Sequence, residues 1–119
     1  SAQVPSSAQV IAAQDVEYQE SLLNDRLKDL LQEHDDLSCS VISMRADLEA
    51  ATKLRENASL RMSRYGDNPK LQAEVERAQK IEDEARKPFS LMQERIDTIE
   101  GEALEIHDML SAAESVRMG

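Results

Sequence analysis

Apolar residues recur along this chain at alternating steps of three and four, in two runs separated by a single break. The first run is Val16, Leu23, Leu27, Leu30, Leu37, Val41, Met44, Leu48, Ala51, Ala58, Met62 and Tyr65. The second is Leu71, Val75, Ala78, Ala85, Phe89, Met92, Ile96, Ile99, Ala103, Ile106, Leu110 and Ala113. This is the heptad spacing of a coiled coil, in which a and d positions face a partner helix.

The break is Tyr65-Gly66-Asp67-Asn68-Pro69. A glycine just past the last apolar position ends a helix by taking the left-handed conformation. Asn68 then caps a new helix, and Pro69 suits its first position, where the missing N–H leaves no bond unmade. The pattern predicts a frayed tail over residues 1–7 with Ser6 or Ser7 as a cap, a helix over 8–65, a turn at 66–68 and a second helix over 69–117. With no Pro or Gly inside it, the first helix would extend on the order of 85 Å at ~1.5 Å per residue. So short a turn requires antiparallel neighbours. The expected fold class is therefore all-α: one long antiparallel two-helix coiled-coil hairpin, open to pairing into a larger helical bundle.

Folding the seams back about the turn sets Tyr65 against Leu71, Met62 against Val75, Leu48 against Phe89, Val41 against Ile96 and Leu30 against Ile106. The polar interruptions follow the same register. Arg55 falls opposite Glu82, and Glu20 falls opposite Arg117, while His34 meets the small Ala103. Opposite charges in facing layers fix register and orientation, and each would be costly if left unpaired. These five residues are the expected register-setting layers. They favour a closed hairpin, although a domain-swapped dimer would preserve the same layers. Lys87-Pro88-Phe89 falls inside the second helix, where Pro88 removes the bond to the Glu84 carbonyl and is expected to bend the helix, as a passive kink or as a hinge. Gly101 lies on the outer face and only weakens the helix.

A two-helix coil buries one stripe per helix, so apolar residues outside the stripe need another explanation. Leu31, Leu54, Ile81, Met109 and Val116 flank the seam and widen it. Leu22, Ile42, Leu60, Leu91 and Leu104 point well away. Isolated surface leucines are ordinary, but five on so thin a fold mark candidate contacts for another helix, from a different protein or from a second copy in a homodimer.

Composition supports the helical reading and narrows the function classes. Aromatics are 3% of the 119 residues, and charged residues are 32%. That excludes a thick aromatic core but suits narrow seams. The net charge of −10 disfavours a phosphate backbone as partner, since counterion release needs a field of Lys and Arg. No apolar run approaches the ~20 residues that span a bilayer, and no secretory signal pattern is present. With the single Cys39, this leads to the expectation of a cytoplasmic protein without membrane insertion. The charge is uneven: residues 53–95 hold ten Lys or Arg against eight Asp or Glu, and the rest of the chain four against sixteen. Arg61, Arg64, Tyr65 and Lys70 beside the turn are candidate contacts for an acidic partner.

Catalytic signatures are absent. There is no phosphate-cradling loop, nucleophile elbow or paired CxxC. The Glu-x-x-His motif of di-iron bundles fails because Leu31 and Leu104 stand three residues before His34 and His107. One weak constellation remains: His34 and His107 within about a helical turn (~5.4 Å), with Glu33 or Asp108 as oxygen donors. A pH-dependent loosening through His34 is the milder expectation. No catalytic residue, metal site or cofactor is assigned. The leading expectation is a non-enzymatic protein–protein interaction module, a rigid hairpin acting as adaptor, spacer or assembly factor. The alternative is a small acidic helical chaperone for an exported or assembling subunit, and the remote one a metal- or redox-linked role for His34, His107 and Cys39. In architecture alone, such hairpins resemble stalk proteins of export machines, phage assembly factors and segments of long coiled coils; no motif selects among these.

Overall fold

The computed structural model describes residues 7–66 and 68–118, with side chains from residue 14 onward. It is an all-α antiparallel hairpin of two helices, α1 (Ser7–Tyr65) and α2 (Pro69–Met118), with no strand among the described residues. Residues 1–6 of the expected tail, Ser6 among them, lie outside the described residues, as does Asp67 of the turn, while Ser7, expected in the tail or as a cap, is the first residue of α1.

The turn works through three residues. Gly66 has φ +86°, the left-handed conformation that ends α1 and that a Cβ disfavours. Asn68 begins α2: its Oδ1 accepts the Leu71 N–H at 3.0 Å, and its carbonyl accepts the Gln72 N–H at 2.9 Å. The side-chain bond satisfies one of the four donors stranded at a helix start, and the carbonyl bond is the first rung of the helix's own ladder. Pro69 occupies the first position of α2. Farther along, α2 is helical without interruption through Pro88.

Packing divides the chain into two units, Ser1–His34 with Thr98–Gly119 and Asp35–Asp97. Among the described residues of the first, the buried apolar side chains are Leu30, Ile99 and Ile106, the first two with no exposure at all. In the second, they are Val41, Ala51, Ala58, Leu71, Ala78 and Ile96. All nine occupy heptad seam positions. The second unit's core is thin, because three of its six buried apolar residues are alanines. Each contributes only a methyl to the hydrophobic term, at roughly 0.8 kcal/mol per carbon. Two seam residues of the sequence pattern depart from it: Val16 is 41% exposed and Tyr65 is 73% exposed. Both stand near the end of a run, and a seam position is covered only where layers exist on either side of it.

The two glycines with defined surroundings make opposite predictions. A Cβ at Gly101 would meet nothing within 4 Å on a helical backbone. Gly101→Ala should therefore stabilise the chain by up to about 1 kcal/mol through helix propensity. Gly66→Ala meets no atoms either, but it must hold φ at +86°, and it should cost about 1 kcal/mol. Urea denaturation followed by circular dichroism measures both.

Candidate functional site

Polar side chains inside a two-helix seam require specific partners, since water cannot reach them freely. In unit Asp35–Asp97 the Arg55 Nε–H donates to Glu82 Oε2 at 2.9 Å. The Glu82 side chain is only 3% exposed, and it is the one buried charged residue among those described. Its second oxygen, Oε1, accepts from Gln79 Nε2 at 3.2 Å and pairs with Arg86 Nη2 at 3.3 Å. The Arg55 hydrogen bond is the main influence holding the Glu82 carboxyl at about 2. Burial opposes it, while the Thr52 hydroxyl and the charges of Arg55 and Arg86 assist. Reciprocally, Arg55 is raised above its ordinary value, first by its hydrogen bond to Glu82 and then by that carboxylate's charge.

Arg55 and Glu82 follow from the seam pattern; Gln79, Arg86 and Thr52 do not. Their signal was spacing: Gln79 and Arg86 lie three before and four after Glu82 on one helix, and Thr52 lies three before Arg55. Residues at these steps are neighbours on a helix surface. Arg45 adds a further contact in this unit, with its guanidinium 5.8 Å from the centroid of the Phe89 ring.

In unit Ser1–His34 with Thr98–Gly119, Arg117 Nη2 lies 3.2 Å from Glu20 Oε2. This layer is less complete than that of Glu82, because Glu20 Oε1 is buried and has no hydrogen-bond partner among the described residues. His34 lines a shallow groove with Ala103, as its seam position implies, together with Leu31 and Leu104. Its Nε2 does not simply rest beside the small residue, however. It lies 2.9 Å from Glu100 Oε1, a carboxylate four residues from the seam position Ile96 and outside the seam. Arg26 crosses to Glu102 at 3.0 Å.

The remaining candidates are distributed separately. Leu22, Ile42, Leu60, Leu91 and Leu104 are exposed by 51% to 68%. Beside the turn, Arg61 pairs with Glu74 at 3.0 Å, while Arg64, Tyr65 and Lys70 are exposed. His107 is open to solvent, its nearest ionic partner being the adjacent Asp108 at 3.9 Å. Cys39 is exposed and free, and it belongs to the other unit from His34 and His107. Among the described residues, no group of three or more His, Cys, Asp and Glu is placed to hold a metal ion. No described helix is long and apolar enough to cross a membrane.

Two predictions follow from Glu82. Arg55→Glu sets two carboxylates against each other in a buried layer and should lower the denaturation midpoint well beyond the scatter of surface substitutions. Adding Glu82→Arg should recover more than half of that loss; a double variant no better than the single would place the two side chains apart. The second prediction concerns acid. Because the folded value of Glu82 is depressed from 4.5 to about 2, its stabilisation is complete above about pH 4.5 and is lost as pH falls towards 2. The gap in urea midpoint between the native chain and Glu82→Gln should therefore be constant near neutrality, narrow below about pH 4.5 and become small near pH 2. No protein-family model, curated protein or solved structure matches the chain.

Proposed function

We propose that this chain is a non-enzymatic protein–protein interaction module, a coiled-coil hairpin that serves as an adaptor, spacer or assembly factor. The observation that carries this reading is the exposure of apolar side chains the hairpin has no use for. Ile42 and Leu91 are each 68% exposed and Leu104 is 63% exposed, on a fold whose seam already takes its apolar residues from elsewhere. Leaving such groups in water forgoes roughly 1.5–3 kcal/mol of burial per side chain, which a partner helix would recover. The polar groups inside the seam support the same reading, since the Glu82 cluster spends its hydrogen bonds on Arg55, Gln79 and Arg86. The charge asymmetry, ten basic to eight acidic residues over 53–95 against four to sixteen elsewhere, offers a partner a direction of approach.

The test is affinity purification from the native source with mass spectrometry, run beside a variant with Leu22, Ile42, Leu60, Leu91 and Leu104 replaced by Ser. The expected result is a stoichiometric partner retained by the native chain and lost by the variant, with helicity by circular dichroism unchanged. A partner that is released on further assembly would favour the chaperone role over the permanent adaptor. A chain that retains nothing above control, or a variant that binds as well as the native chain, would defeat the module reading.

A further inference from the structure

Beside the alanines of the second unit lies a shallow trough open to solvent. Buried Ala58 and Ala78 line it together with Leu54 and Ile81, and its polar lining is Asn57, Arg61, Glu74 and Arg77, one net positive charge. Leu54 is 49% exposed and Ile81 is 41% exposed, a large share for two branched side chains. The trough is graded along its length. Arg61 follows Leu54 by seven residues on α1, and Arg77 precedes Ile81 by four on α2, so both cations lie on the turn side of Leu54 and Ile81. Arg61 already pairs with Glu74, whereas Arg77 forms no ion pair among the described residues.

The outer face of α1 in the first unit carries the complementary sequence. Tyr18, Leu22, Asp25 and Asp29 are spaced four, three and four apart, which puts them in one stripe of the helix. All four are exposed, Tyr18 by 66% and Leu22 by 51%. The step from Tyr18 to Asp25, and from Leu22 to Asp29, is seven residues, the same as from Leu54 to Arg61. Seven residues span about 10.5 Å of helix in either case. A helix laid in the trough parallel to α1 would thus bring its apolar half to Leu54 and Ile81 as its carboxylates reach Arg77 and Arg61.

We propose that this trough receives the Tyr18–Asp29 stripe of a second copy of the chain. The inference deepens the module reading by naming one partner for one surface. Three features favour a second copy over an unrelated helix: the stripe exists on this chain, it is exposed, and its order of apolar and acidic positions matches the trough. The chain's charge distribution acts in the same direction, because the trough belongs to the stretch with a balance of +2 and the stripe to the remainder, at −12. Two apolar contacts and two charge pairs make a small interface, well below the ~800 Å² per partner of a standard stable complex. The association is therefore weak and salt-sensitive, held by charges that solvent screens.

Sedimentation equilibrium of the purified chain over a wide concentration range tests this. The mass should rise above that of a monomer with concentration and fall back when salt is raised from about 50 mM to about 500 mM. Arg77→Glu alone, and Asp25→Lys with Asp29→Lys alone, should each weaken association by roughly tenfold or more, as unlike charges become like. Every substituted residue is exposed, so helicity should be retained. An equimolar mixture of the two variants should associate better than either variant alone, because each carries the native or reversed complement the other needs. A native chain that stays monomeric at every concentration overturns the inference, as does a mixture no better than its components. Self-association indifferent to both sets of charges overturns it too, by placing another face in the interface. None of these results touches the module reading, which depends on a partner retained from the native source.

Discussion

A carboxylate taken out of water between two helices must find its cation, and that requirement governs how this hairpin pairs. Glu82 is 3% exposed within the seam. An unpaired carboxylate there would protonate or drive the helices apart. The structure answers with Arg55 on one oxygen and with Gln79 and Arg86 on the other. Sliding α1 against α2 by one heptad would replace Arg55 with Leu48 or Met62 at that level and leave Glu82 only the partners on its own helix, Gln79 and Arg86. Apolar seams alone discriminate poorly between registers, since one Leu layer resembles the next. The buried Glu82 meets one cation from across the seam, Arg55.

The thinness of the seam shapes everything outside it. In unit Asp35–Asp97 the buried residues Ala58 and Ala78 are too small to close over the groove they line. Leu54 and Ile81 flank that groove half-exposed and leave an apolar trough with Arg61 and Arg77 in its lining. A fold with one buried stripe per helix has no second layer to absorb such residues. The surplus becomes surface, and it is on this surface that the proposed partner helix would act. The same economy explains why chemistry is hard to place here. With one buried stripe per helix, the described polar groups meet in pairs and small clusters along grooves open to solvent.

Much of the fold could be read from spacing, because a heptad is a statement about geometry as well as composition. Gly66 and Asn68-Pro69 announced the turn through requirements that few other residues meet: a positive φ at one, and a free side-chain acceptor with a fixed φ at the next two. The opposed charges at Arg55 with Glu82 and at Glu20 with Arg117 were visible because they interrupt an otherwise apolar pattern. His34 was visible for the same reason, yet its bond to Glu100 was not. Glu100 is one of many surface carboxylates, and nothing in the pattern singles it out. The half-satisfied state of Glu20, with one oxygen buried and without a partner among the described residues, was equally hidden, because counting charges in a layer says nothing about how many lone pairs each charge satisfies.

The amino-acid sequence by itself determined the number of helices, their limits near the turn, their antiparallel sense and the seam each presents. Periodicity, capping and helix-breaking residues act locally, and local physics is sufficient for them. Only the tertiary structure decided which atoms of Glu82 each donor takes, which carboxylate His34 meets, that Tyr65 stands in solvent despite its seam position, and that Leu54, Ile81, Arg61 and Arg77 border one trough. Those outcomes depend on how far each side chain reaches across to the other helix and on which layers exist to cover it. Neither quantity is carried by the spacing of residues along one strand of sequence.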